Sequence, residues 1–267
     1  MFSCFDLDFS DSGYFVTNYY SKGLLYVEEN EKKIKDEFDT FIMDDGSIDG
    51  TLLQENWFKS LSFDVFISHS HKDNKKAIAL AGWLKSELGL SAFVDTCFWG
   101  YADNLLKTIN DKYNIKRIEK NGEKIYSHKK ANYASSHVHM MLATSINKMM
   151  MNCECIIFIN SNNSIIKSDY SDDTSSPWIY LENCLANSMK QTIPDRFKKT
   201  LRHDASFSLN ESNDLLIKYK LEFNNFIKIS KHDLILWKDE YTNSNEHPLN
   251  VLYRRFEIIK KVSEGRL

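Results

Sequence analysis

Glu182 follows Trp178 by four residues in the run SPWIYLE, and that spacing sets a carboxylate and an indole on one face of a helix, one turn apart. A carboxylate in such a place suits glycosidic chemistry, where it stabilises positive charge developing on a sugar. Read alone, a Glu at this spacing is a surface residue of an amphipathic helix. A second group is aromatic: Phe98, Trp99 and Tyr101 fall within four residues. In a polar loop such rings either fold back on the domain or form a flat platform for a nicotinamide or adenine ring.

The run HSHKDN at 69–74 offers a third chemistry. Histidines at i and i+2 with a nearby Asp can hold zinc and polarise water. The run resembles the H-x-H-x-D-H signature of metallo-β-lactamase-fold hydrolases. However, Asn74 stands where the last His belongs, and the glycine-rich loops of that fold have no counterpart. His137 and His139 lie two apart on an expected helix, roughly on opposite faces. DDGSIDG at 44–50 has part of a calcium-loop pattern without its closing Glu, so it reads as a turn. Cys153 and Cys155 alternate at a strand start and read as packed core thiols.

Elements must bring these residues to one place. FDVFIS (63–68), SAFVD (91–95) and CIIFIN (155–160) are short apolar runs suited to buried parallel strands. KKAIALAGWLKSEL (75–88) is an amphipathic helix between the first two, closed by Gly89. Val138, Leu142, Ile146 and Met149 outline another helix at 135–151. Ser176 caps a third, with Pro177 at its first position, running to about Lys190. Farther on, LLIKYKLEF, FIKIS and LILW are strand candidates, and Leu249–Val262 a closing helix. Alternating strands and helices predict an α/β fold with a parallel sheet of about five strands flanked by helices. Residues 1–60 read as an N-terminal extension, with 28–39 a solvated helix face, and 61–267 as the domain proper. In such a sheet ligands bind beyond the carboxyl ends of the strands, which places Ser68–Ser70, Asp95–Tyr101 and Asn160–Ser161 at the expected site. His69 there is placed either to contact a phosphate or ribose or to bond the start of the next helix.

Composition sets the bounds. The chain has 267 residues, is 42% hydrophobic and 27% charged, and so has the makings of a sizeable core. Its 34 basic and 37 acidic side chains nearly balance, which disfavours a dedicated nucleic-acid binder. Five cysteines do not make a disulfide framework, and a reducing compartment is the simpler setting. No secretory signal and no apolar window of membrane-spanning length is read in the sequence.

Taken in order, FDVFISHSHKD, FVDTCFWGYADNLL, CIIFINSNNSI and SPWIYLE resemble a TIR (Toll/interleukin-1 receptor) domain. The resemblance covers 63–190 and implies a flavodoxin-like TIR fold. In TIR enzymes that cleave NAD, the helix after this third strand carries the catalytic Glu, often with Trp four residues earlier. The resemblance therefore implies Glu182 as catalytic, with Ser68, His69, Asp73, Phe98, Trp99 and Trp178 binding the dinucleotide. It implies no metal and no cofactor beyond the substrate NAD. The insert containing SSHVHMML is similar to that of the anti-phage Thoeris type, in which an ADP-ribose-derived messenger activates a separate effector. Self-association through TIR surfaces, a site completed between subunits, and a cytoplasmic setting without nucleic acid or membrane partners are implied as well. Two other readings stand beside it: a non-catalytic TIR interaction module, and a nucleoside deoxyribosyltransferase, which is also flavodoxin-like and uses a Glu nucleophile.

Overall fold

The computed structural model describes residues 2–31, 38–58, 62–94, 96–167, 171–194 and 219–258. In chain order, strand β1 (Ser3–Asp8) precedes helices α1 (Gly13–Glu31) and α2 (Gly50–Trp57). Then come β2 (Val65–Ser68), α3 (Asn74–Leu88), β3 (Ala92–Val94) and α4 (Thr96–Tyr113). The strands β4 (Ile115–Ile118) and β5 (Lys124–Tyr126) lead to α5 (His128–Asn152) and β6 (Cys155–Asn160). After β7 (Ile166–Lys167) and β8 (Asp172–Thr174) comes α6 (Pro177–Ser188). The chain continues with β9 (Tyr219–Lys220), β10 (Phe226–Ser230), α7 (Lys231–Thr242) and α8 (Pro248–Arg255).

Two compact units divide the chain: Met1–Val27, Ser62–Val94 and Met150–Leu267 form the first, Glu28–Leu61 and Asp95–Met149 the second. The first unit is built on a five-stranded parallel sheet in the order β10-β1-β6-β2-β3. Counted from β2, this is the 2-1-3-4-5 order of flavodoxin-like sheets, with the fourth position filled by β1 from the N-terminus. The expected extension therefore supplies an inner strand of the sheet, and the division at residue 60 does not separate it from the domain. Its sequence, SCFDLD, hides the strand: two Asp interrupt the apolar run that a buried parallel strand normally shows.

Register fixes which side chains share a face. Ser68, Phe158, Asp6 and Lys228 stand in one row across the sheet, each paired with the next. Two residues toward the carboxyl end, Asn160, Asp8 and Ser230 make the next row on that face. On the opposite face, Phe5 lies against Tyr253 and Phe256 of the α8 region. Phe15, Trp83 and Trp237 continue an aromatic layer through α1, α3 and α7, with centroids 5.6 and 5.7 Å apart. The buried Trp237 indole donates to the Pro248 carbonyl at 2.8 Å, so its one polar atom is satisfied. Gly89 ends α3 at φ +70°, the left-handed conformation expected of it.

Other expectations change. LILW (234–237) is helical, not a strand, because Ser230 and Asp233 form a reciprocal capping box that starts α7 and Leu234 and Trp237 bury one face of it. FIKIS is indeed the strand β10. Among the described residues of LLIKYKLEF, Tyr219–Lys220 is the strand, in a small antiparallel sheet with β7 and β8, and 215–218 lie outside the described residues. The closing helix is described as Pro248–Arg255, with 259–262 outside the described residues. The solvated face expected at 28–39 is described only in part: residues 28–31 end α1, and 32–37 lie outside the described residues.

The second unit holds α2, α4, the β4–β5 hairpin and most of α5. Ala134, Val138, Leu142, Ile146 and Met149 form the buried stripe of α5 at spacings of four and three. DDGSIDG is a turn: Asp45 accepts from the Ser47 backbone and hydroxyl, Gly46 takes φ +80°, and Asp49 caps α2. Among the described residues, no helix is long and apolar enough to cross a membrane.

Candidate active site

Helix α6 places Glu182. Ser176 accepts from the Ile179 amide at its start and Pro177 takes the first helical position. Ile179, Glu182, Asn183 and Ala186 form its buried stripe, so Glu182 faces inward and is 2% exposed. A clamp holds the helix in register: Asn183 Nδ2 donates to the Glu222 carbonyl at 2.9 Å and its Oδ1 accepts from the Glu222 amide at 3.0 Å. Asn187, one turn on, donates to the same carbonyl at 2.9 Å. This pair of asparagines was not singled out in the sequence; its signal is the i, i+4 spacing in ENCLAN.

The Glu182 carboxylate meets the last residue of β2. Ser68 Oγ donates to Glu182 Oε2 at 2.5 Å, and Ser68 is buried. The acid thus sits at the carboxyl end of the strand next to the sheet's centre, where open parallel sheets take ligands. Trp178 is half-buried, one turn earlier on α6. His69 is buried, and its Nδ1 lies 3.4 Å from the Ile67 carbonyl.

Asp73 is engaged at both carboxylate oxygens. Its Oδ2 accepts from Ser161 Oγ at 2.5 Å, and its Oδ1 from Asn163 Nδ2 at 3.0 Å and Lys76 Nζ at 3.0 Å. Burial pushes its carboxyl up, but those hydrogen bonds and the Lys76 charge outweigh it and hold it below the ordinary carboxylate value. The side chain ties the turn after β2 to the turn after β6. Ser161 accepts in turn from the Asn163 amide, and Ser164 Oγ accepts from the Ser161 amide, so the loop is closed by its own hydroxyls.

HSHKDN does not converge on one point: His69 is buried, His71 is exposed, and Asp73 faces Ser161, Asn163 and Lys76. His137 packs edge-on against Tyr133, and His139 lies 3.2 Å from Ser135 Oγ. Among the described residues, no three His, Cys, Asp or Glu side chains are grouped as metal ligands. Phe98 and Trp99 belong to the first turn of α4, not to a loop, and their side chains fall outside the described residues, as does Asp95. Cys153 and Cys155 are buried, with thiols pushed up by burial, to about 12 for Cys153.

Between them, α6, β2 and the two loops hold one inward carboxylate next to a donor hydroxyl, braced by a second carboxylate that is already satisfied. An acid in that position can bond a sugar hydroxyl and offset positive charge on the sugar carbon. No family model, curated protein or solved structure matches the chain.

Proposed function

We propose that the chain is a TIR-type enzyme that cleaves NAD at the nicotinamide–ribose bond. One observation carries the reading: the buried Glu182 carboxylate bonded to Ser68 at the carboxyl end of β2, with Trp178 one turn before it. Nicotinamide is cationic in NAD and neutral once it departs, so it needs no proton from a general acid. The carboxyl that an ordinary glycosidase uses as general acid is therefore not required. Glu182 holds the ribose hydroxyls and stabilises the charge that develops at C1′. Ser68 orients that carboxylate, and Trp178 supplies a ring surface for the base. His69 belongs to the same binding set. Asp73 acts by bracing the loops and not by touching the sugar.

Capture of C1′ by an acceptor group of the nucleotide itself gives a cyclic ADP-ribose, and capture by a group of another molecule gives a conjugated one. In this reading the product is a messenger in anti-phage defence that reaches a separate effector, and the enzyme works in the cytoplasm as an assembly through TIR surfaces. No cofactor beyond NAD is required. Incubation of the purified chain with NAD and mass analysis of the products tests the reading. Free nicotinamide with an ADP-ribose-derived product is expected, and intact NAD overturns it.

The 2% exposure of Glu182 favours a second reading, a TIR interaction module in which the Ser68–Glu182 bond is purely structural. The same assay separates the two.

A further inference from the structure

Asp6 is a buried carboxylate that the reaction above does not use. It lies in β1, the inner strand supplied by the N-terminus, and is 6% exposed. Among the described residues it enters no ion pair, and its hydrogen bond comes from a neutral donor, Asn160 Nδ2 at 2.9 Å. An apolar side chain at this inner position would avoid the cost of burying a charge, and one bond from a neutral amide is all that offsets that cost here.

Its position ties it to Glu182. Ser68, which bonds Glu182, and Asp6 both pair with Phe158, from opposite sides and in the same row. Adjacent strands are about 4.8 Å apart, so the Ser68 and Asp6 backbones are separated by roughly 10 Å. The two acids therefore stand on one face of the sheet, near its carboxyl end, on either side of Phe158. The charged groups facing Asp6 are Lys228 on β10, Lys167 on β7 and Asp172 on β8.

Resting on the NAD-cleaving reading, we infer that Asp6 is the second carboxyl of the same site and takes the proton from the hydroxyl or water that captures C1′. The acceptor oxygen forms its bond to C1′ while its proton passes to an Asp6 oxygen. The C1′–N bond breaks with its electron pair going to the nicotinamide ring, which leaves neutral. Glu182 takes no part in this proton transfer. Burial raises the Asp6 carboxyl, against the lowering by Asn160 and Lys228, which makes it a better proton acceptor than an exposed carboxylate.

The test measures nicotinamide release by the full-length chain across the pH range for wild type, Asp6→Asn, Asn160→Leu and Glu182→Gln. Wild type should lose activity on the acid side. Asp6→Asn should be slower by about a hundredfold, in the range of general-base effects, with that acid limb absent. Sodium azide, a nucleophile with no proton to lose, should restore release by Asp6→Asn and not by Glu182→Gln. Asn160→Leu removes a bond that lowers the Asp6 carboxyl, so its acid limb should move to higher pH. This last readout serves even where Asp6→Asn fails to fold. An unchanged rate and profile in Asp6→Asn, or an unmoved limb in Asn160→Leu, overturns the inference and leaves Glu182 standing. A wild type that releases no nicotinamide, or an active Glu182→Gln, overturns both.

Discussion

Ser68 Oγ and Glu182 Oε2 lie 2.5 Å apart, joining residues 114 positions distant in the chain. The bond sets the acid of α6 against the end of β2 and fixes which way its carboxylate faces. Glu182→Gln keeps the shape and an oxygen for Ser68 but removes the charge. Nicotinamide release should fall by about a hundredfold or more, the scale of losing a preorganised electrostatic group, while the melting temperature changes little. Activity close to wild type would mean that the acid is a structural residue.

Ser68→Ala leaves the acid in place without its orienting donor. An acceptor stripped of a buried hydrogen bond costs about 1–3 kcal/mol, so denaturant unfolding should shift by that amount. A rate loss smaller than that of Glu182→Gln should accompany it, because the charge remains. A variant equal to wild type in both measurements would show that the bond neither holds nor orients Glu182.

Asp73 predicts a pH dependence. Its folded-state carboxyl lies below the ordinary value, so its contribution to stability is present above that value and is lost as pH falls through the folded one. Asp73→Asn should remove about 1.5–3 kcal/mol near neutral pH, the worth of charge-assisted bonds, and should flatten the acid side of the stability profile. Equilibrium unfolding from pH 7 down to pH 3 measures both. Parallel profiles for the two proteins would rule out an ionised brace.

How far the sequence revealed this arrangement depended on what each residue had to say locally. β2, β3 and β6 were legible as apolar runs, and α6 as a helix with Ser176 and Pro177 at its start. β1 was not, because Asp6 and Asp8 occupy one face of it and look like turn chemistry. β10 was legible, but the helix after it was not, since Leu234 to Trp237 reads as a strand until the capping box at Ser230 is recognised. Glu182 and Trp178 were legible by spacing alone. The partners of Asp73 were not, because Ser161 and Asn163 lie 88 and 90 positions away, and no local pattern signals such a pairing.

Gly23 of α1 and Gly82 of α3 mark a close approach of two helices. A Cβ at Gly82 would lie 2.5 Å from the Tyr19 carbonyl oxygen, and one at Gly23 would run into the Ile78 carbonyl. Helix propensity alone favours Ala over Gly by about 0.8–1 kcal/mol. Overpacking against backbone works the other way, at about 1–3 kcal/mol or more. Gly82→Ala should therefore lower stability, and an increase by chemical denaturation would contradict the close packing.

Asp6 predicts the reverse of Asp73. Its folded-state carboxyl lies above the ordinary value, so the fold increasingly penalises the ionised form as pH rises out of the ordinary carboxylate range toward neutrality. Asp6→Asn removes that penalty and keeps an oxygen to accept from Asn160 Nδ2. The variant should gain stability relative to wild type above the ordinary carboxylate range, and the gain should grow as pH rises to the folded-state value and then level off. With Asp6 as the proton acceptor, the stabilised variant should also be the slower enzyme. Equilibrium unfolding of both proteins at several pH values settles the point. A loss of stability at pH 7 would make the ionised Asp6 an anchor of β1 and remove the physical reason to assign it a proton.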